Sequence, residues 1–155
     1  MKWSVVAVGR VKESWYRDAI AEYHGRLQHY RPFAMIEVAE ERLIPGREAQ
    51  VMRKEAERIA DACPPGLRIA LSERGARVTT SQLTDKLAQF EGQGVPHLSF
   101  VLGGPQGLDP DFIRSCHWEL SLSGLTFPYQ LARLVLVEQL YRCETLRRGE
   151  PYHKA

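Results

Sequence analysis

Short apolar runs alternate along the chain with longer stretches in which apolar residues recur at helical spacing. The first run, Trp3–Val8, is rich in valine and predicts a strand. Trp15, Ala19, Tyr23, Leu27 and Tyr30 then share one face of a helix that Ser14 can cap and that runs to about His29. Pro32 closes that element, and Phe33–Val38 alternates apolar and polar residues as a second strand. Glu40–Gly46 is charged and turn-rich and reads as a mobile loop. Arg47–Ala62 predicts a second helix, stopped by Cys63-Pro64-Pro65-Gly66. Leu67–Leu71 reads as the third strand, and Thr80 or Ser81 caps a third helix reaching about Phe90. Leu98–Leu102 is a fourth strand that enters Gly103-Gly104-Pro105-Gln106-Gly107. A short helix over Asp109–Cys116 and a fifth strand over Trp118–Leu122 follow. The loop Ser123–Pro128 precedes the longest helix, Tyr129–Arg148, and the tail Gly149–Ala155 ends the sequence.

This order predicts an α/β fold with a mainly parallel sheet flanked by helices. At 155 residues the chain is expected to form a single domain, 1–155. Three predicted strands end in loops with chemical potential: Ser72–Gly75, Gly103–Gly107 and Ser123–Pro128. In parallel sheets, ligands sit outside the carboxyl ends of strands. The last helix is unusual, because Leu131, Leu134, Val135, Leu136, Val137, Leu140 and Tyr141 spread around most of its circumference. Such a helix needs cover on several sides, which suggests a second subunit in preference to complete burial within one.

Composition narrows the picture only slightly. The chain is 44% hydrophobic and 26% charged, with a net charge of +2, so nucleic acid is allowed as a partner but not demanded. No window approaches the roughly 20 apolar residues of a membrane helix. The opening apolar run is too short for a signal peptide, so a cytoplasmic protein is expected. Cys63, Cys116 and Cys143 are odd in number and widely spaced, which suggests reduced thiols and no metal or disulfide framework. His24, His29, His97 and His117 lack metal-ligand spacing.

The candidate chemistry lies in three stretches. Gly103–Gly107 lets backbone approach a ligand, but it matches neither of the usual phosphate-loop patterns. Ser121–Pro128 can offer backbone polar groups to an adenine edge, with Leu125 and Phe127 as walls. The C-terminal segment interleaves Arg133, Arg142, Arg147, Arg148 and Lys154 with tyrosines and His153. Arginine suits phosphate, and aromatic rings stack on exposed bases.

Together these stretches resemble one family. Gly103-Gly104-Pro105-x-Gly107, Ser121-Leu122-Ser123-x-Leu125-Thr126-x-Pro128, Arg133, Glu138-Gln139-x-Tyr141-Arg142 and Pro151-Tyr152-His153-Lys154 are similar to the motifs of the RlmH family. Its members are pseudouridine N3-methyltransferases of the large ribosomal RNA, in the SPOUT class. The resemblance covers the whole chain. It implies a SPOUT-type sheet with a C-terminal trefoil knot, a homodimer, and S-adenosyl-L-methionine as cofactor. It carries cofactor contacts to Leu71, Gly104, Ser123, Gly124, Leu125, Thr126, Phe127 and Pro128. The implied substrate is a pseudouridine in helix 69 of the large-subunit rRNA within the assembled ribosome, with no metal and no membrane involved. Arg142, Tyr152 and His153 are then expected to position the base and manage its charge. An imidazole is largely neutral at cytosolic pH, which favours His153 as the base that takes the N3 proton.

The sequence departs from the family twice: Tyr129 stands where His is usual, and Ser72 where Asp is usual. A phenol, with a reference pKa of about 10, does not serve as a neutral base. Two rival readings follow: a ribosome-binding factor without catalysis, and a SPOUT enzyme acting on another RNA.

Overall fold

In a computed structural model, which describes residues 1–154, five parallel strands form one sheet in the order β2-β1-β4-β3-β5. Ala155, the last residue of the expected tail, lies outside the described residues. The strands are β1 (Lys2–Val8), β2 (Phe33–Val38), β3 (Leu67–Arg77), β4 (His97–Leu102) and β5 (Trp118–Ser121). The helices are α1 (Ser14–Gln28), α2 (Glu48–Ala62), α3 (Thr80–Gly92), α4 (Pro110–Ser115) and α5 (Tyr129–Arg147). The α/β alternation read from the sequence is therefore the observed one.

The central strands are covered on both faces, which explains their continuous apolar runs. Trp3, Val5 and Ala7 of β1 pack with Phe100 of β4, Leu27 of α1, Leu87 of α3 and Leu136 and Leu140 of α5. Val6 and Val8 point the other way and pack with Ala56 and Ile59 of α2 and Phe112 of α4. Cys143 is fully buried, and burial pushes its thiol up to about 11, so it acts as a small apolar group.

Four local expectations differ. Ser14 is the first helical residue of α1 rather than its cap; Glu13 stands at the cap and makes no side-chain capping bond. Trp15 is 61% exposed and lies against Tyr16, its ring neighbour at 3.9 Å, instead of joining the core. Thr79, not Thr80 or Ser81, caps α3, in a reciprocal capping box with Gln82. Ser72–Gly75 is not a loop beyond β3 but an irregular stretch inside it. The pairing with β5 shifts register between Leu71 and Ala76, as at a β-bulge. Gly75 makes this possible, because a Cβ there would fall 2.6 Å from the Leu120 carbonyl carbon.

The C-terminal end of α5 is held by a buried ion network. Glu144, fully buried, accepts from Arg31 at 2.5 Å and 2.9 Å, and from Arg147 and Arg148 at 3.5 Å and 3.3 Å. Arg31 also donates to the Met1 carbonyl and stacks on Trp3. Breaking a buried pair leaves an uncompensated charge. Glu144→Ala is therefore expected to cost about 3 kcal/mol in urea unfolding. Arg148→Ala, at the exposed edge, should cost no more than about 1 kcal/mol. Equal effects of the two would contradict this account.

Candidate cofactor cavity and C-terminal cluster

The middle of β3, at Leu71–Arg74, and the carboxyl ends of β4 and β5 open onto a cavity of about 680 Å³. The loops that follow β4 and β5 form much of its wall. Gly103–Leu108 comes from one side, and Ser121–Ser123 with Leu125 and Phe127 from the other. Gly107 donates its N–H to the Gly104 carbonyl at 2.9 Å, closing the first loop. A Cβ on Gly103 would fall 2.6 Å from the Gly107 backbone, so this close turn requires glycine there. In the second loop, Ser121 Oγ donates to the Ser123 carbonyl, and the Leu125 N–H donates to Ser123 Oγ. Leu125 is 73% exposed, an apolar wall without a partner in the chain itself.

Of the positions expected to touch a cofactor, Leu71, Gly104, Ser123, Leu125 and Phe127 line this cavity. Gly124, Thr126 and Pro128 belong to the same loop but do not line it. Gly124 instead faces the Arg77 guanidinium, which a Cβ there would meet at 3.3 Å. Both departures from the family pattern, Ser72 and Tyr129, also border the cavity. The mixture of leucine walls, backbone polar groups and a few charged side chains such as Glu119 and Arg74 suits a ligand with an apolar ring and a polar chain. These residues fit an adenosyl cofactor.

The other expected site residues gather elsewhere. Glu138 Oε1 accepts from Arg142 at 2.5 Å and 3.0 Å, and from the Tyr152 hydroxyl at 3.0 Å. Tyr152 Oη also lies 3.3 Å from Tyr23 Oη, and its ring meets Tyr141 edge-on at 4.6 Å. The Arg142 guanidinium stacks on Tyr152 at 4.7 Å. His153 is half-buried, and its Nδ1 is shielded with no partner among the described residues. The tail is thus clasped between α1 and α5. Arg142 follows Tyr129 by thirteen positions on one helix, a rise of about 20 Å, while Glu138 follows Ala132, the last α5 residue on the cavity, by six, a rise of about 9 Å.

Sequence reading quoted Glu138 in a motif without giving it a role, and missed Tyr23 as a member of the cluster. The Glu138/Arg142 spacing of four was a usable signal, since such pairs meet on a helix surface. Tyr23 was visible only as one residue of an apolar face.

Three of the four remaining histidines have ordinary partners: His24 the Phe33 carbonyl, His97 the Ser4 hydroxyl, and His117 the Arg68 N–H. Among the described residues no group of three or more His, Cys, Asp or Glu side chains gathers as a metal site would. No helix of the described chain is long and apolar enough to cross a membrane.

Burial pushes the Tyr152 phenol upward, and its hydrogen bonds with Tyr23 and Glu138 push it further. The folded value lies above the unfolded value of about 10, so its contribution to stability is complete below that pH. It is lost as pH rises through the folded value. The Tyr152→Phe variant is therefore expected to lose less stability than the unaltered protein on going above pH 10, measured by urea midpoints. Equal losses would show that the phenol is not held in its protonated form.

Comparison with known proteins places this arrangement. The family model described as "Predicted SPOUT methyltransferase" matches residues 1–153. The ribosomal RNA large subunit methyltransferase H of Bifidobacterium adolescentis is 42% identical, over 99% of this chain and 100% of that protein. The protein of the same name from Acetivibrio thermocellus is 40% identical over the same shares. A probable methylase family protein from Haemophilus influenzae has a similar fold, with a TM-score of 0.54 at 12% identity, covering 99% of this chain and 70% of that one. The chain belongs to the SPOUT methyltransferase family, within the group of ribosomal RNA large subunit methyltransferase H.

Proposed function

We propose that this protein transfers a methyl group from S-adenosyl-L-methionine to N3 of a pseudouridine in helix 69 of the large-subunit rRNA, within the assembled ribosome of a bacterial cytoplasm. The observation that carries the donor half is the convergence of the two glycine- and leucine-bearing loops on one cavity. Full-length identity with large-subunit rRNA methyltransferases supports the acceptor. On this reading residues 1–155 act as one SPOUT domain, and its C-terminal part carries the trefoil knot of that class.

The cofactor supplies an electrophilic methyl on a sulfonium. The chain's own residues do the rest. Leu71, Leu125 and Phe127 hold the apolar ring and exclude water, and the Gly104 and Ser123 loops present backbone groups to its polar edges. Holding both reactants in line supplies much of the acceleration. Tyr152 and Arg142, locked to Glu138, position the uracil-like ring, and His153 takes the N3 proton. Methyl and proton thus leave in balance: the sulfur becomes neutral, and N3 exchanges hydrogen for carbon.

Arg142 stands about 20 Å along α5 from Tyr129, and on this reading the protein is a homodimer in which the tail of one subunit serves the cavity of the other. Leu131, Leu134 and Val135, half-buried on α5, offer that contact an apolar stripe.

Labelled S-adenosyl-L-methionine is expected to mark large-subunit rRNA in ribosomes lacking the modification, and neither free rRNA nor tRNA. Label in tRNA would replace the substrate. No label together with no cofactor binding would leave a ribosome-binding factor. His153→Ala should keep cofactor affinity but lose at least about 100-fold in single-turnover rate; full activity would remove the base from His153. A net charge of +2 also predicts weak binding to an isolated stem-loop, and nanomolar affinity at physiological salt would contradict it.

A further inference from the structure

Glu55, on α2, is only 2% exposed, although it sits in the charged run Arg53-Lys54-Glu55-Ala56-Glu57-Arg58. Its Oε2 accepts the Glu41 N–H at 2.9 Å. Its Oε1 is shielded from water and has no hydrogen-bond partner among the described residues. A carboxylate oxygen left in this state carries a desolvation cost that a nearby positive charge would relieve. The fully buried Glu144 has three arginines for that purpose; Glu55 has none in direct contact.

The orphaned oxygen stands behind the cavity wall. A Cβ on Gly104 would lie 3.5 Å from Oε1 and 3.6 Å from Oε2. The carboxylate is therefore within about 5 Å of the Gly104 Cα. Gly104 lines the cavity and has no side chain of its own; the Val8 side chain shares this space, 3.0 Å from where that Cβ would lie. Glu40 extends the negative wall: its Oε2 would lie 3.5 Å from a Cβ on Gly9, which would also meet the Tyr129 ring at 3.7 Å. The neighbouring cations are committed elsewhere, Arg58 to Glu41 and the Ala39 carbonyl, and Arg133 to Glu37. Burial pushes the Glu55 carboxyl upward, while the Glu41 N–H and Arg58 oppose the shift.

We propose that the Glu55 carboxylate, acting across the bare Gly104 wall, makes the cavity select a positively charged ligand, so that it holds the cationic sulfonium donor in preference to the neutral-sulfur product. The inference rests on the reading of the cavity as the donor site. The physical reason is that a charge shielded from water acts at longer range than an exposed one. Transfer of the methyl removes the ligand's sulfonium charge and with it the attraction, which favours product release.

Calorimetric titration of the unaltered protein and the Glu55→Gln variant with four ligands tests this. They are S-adenosyl-L-methionine, sinefungin (an amine in place of the methylated sulfur), S-adenosyl-L-homocysteine and 5′-methylthioadenosine. Gln keeps the shape and can still accept the Glu41 N–H. The variant is expected to bind the first two about tenfold more weakly and the last two unchanged. Glu55→Asp, which keeps the charge, should retain the unaltered protein's ratio of donor to product affinity even if its packing lowers both. An equal loss for all four ligands, no loss for any, or an Asp ratio that falls as far as the Gln ratio overturns the inference alone. If the unaltered protein binds none of the four, the donor reading falls and this inference with it.

Discussion

Arg133 is the side chain on which the geometry of the cavity depends. It lies on α5, one turn past the helix start, and is 2% exposed. Its guanidinium donates to the carbonyls of Val8 and Gly9 at 3.2 Å and 3.1 Å, and to Glu37 at 2.7 Å. Those carbonyls stand at the carboxyl end of β1, and Glu37 at that of β2. Burying this cation is favourable only because the fork meets several acceptors together, which a lysine does not do. The contact pins the start of α5 beside the strand ends. The loop after β5 is thereby stretched between two fixed points, and Tyr129 and Ala132 are placed on the cavity rim.

The sheet and its helices were legible because their signals are local. Valine-rich runs marked β1, and the Pro-Pro-Gly stop marked the end of α2. The failures share a cause: spacing reports the direction of a side chain but not the depth of what lies beyond it. Trp15 points with Ala19 and Tyr23, yet at the first turn of α1 it finds only Tyr16 and solvent. Glu55 sits among charged neighbours and reads as solvated. Its place four residues from both Val51 and Ile59, each buried, was the overlooked signal. The bulge in β3 depends on a contact between residues 75 and 120, which no local pattern contains. The cofactor loops were legible as family motifs, and their convergence came only with the strand order.

Glycine choice and charge placement act together at the cavity. Gly103 is required by the turn, whereas Gly104 leaves the wall thin in front of a buried acid. Arg74 and Arg114, on the rim, are exposed to solvent, Arg114 in an ion pair with Asp111. On the proposed reading, a site that takes a cationic donor from within and a phosphate backbone from outside would use such a separation of sign. The low net charge of the chain conceals it, because the two contributions cancel in the sum.

The length of α5 sets the final constraint. Tyr129 borders the cavity, Arg142 belongs to the tail cluster, and the helix between them is packed against the sheet through Leu136, Val137 and Leu140. A nineteen-residue helix packed along one side does not fold back on itself, so α5 keeps Tyr129 and Arg142 apart within one chain. Under the proposed homodimer a two-fold axis solves the problem by symmetry. Antiparallel contact of two α5 helices, centred between positions 129 and 142, sets the partner subunit's Arg142 opposite Tyr129. That centre falls at Val135, beside Leu134 and Leu131, the half-buried apolar stripe that the chain leaves without full cover. On that proposal the candidate cavity, the apolar stripe and the tail cluster occur along α5 in an order that suits an isologous pairing.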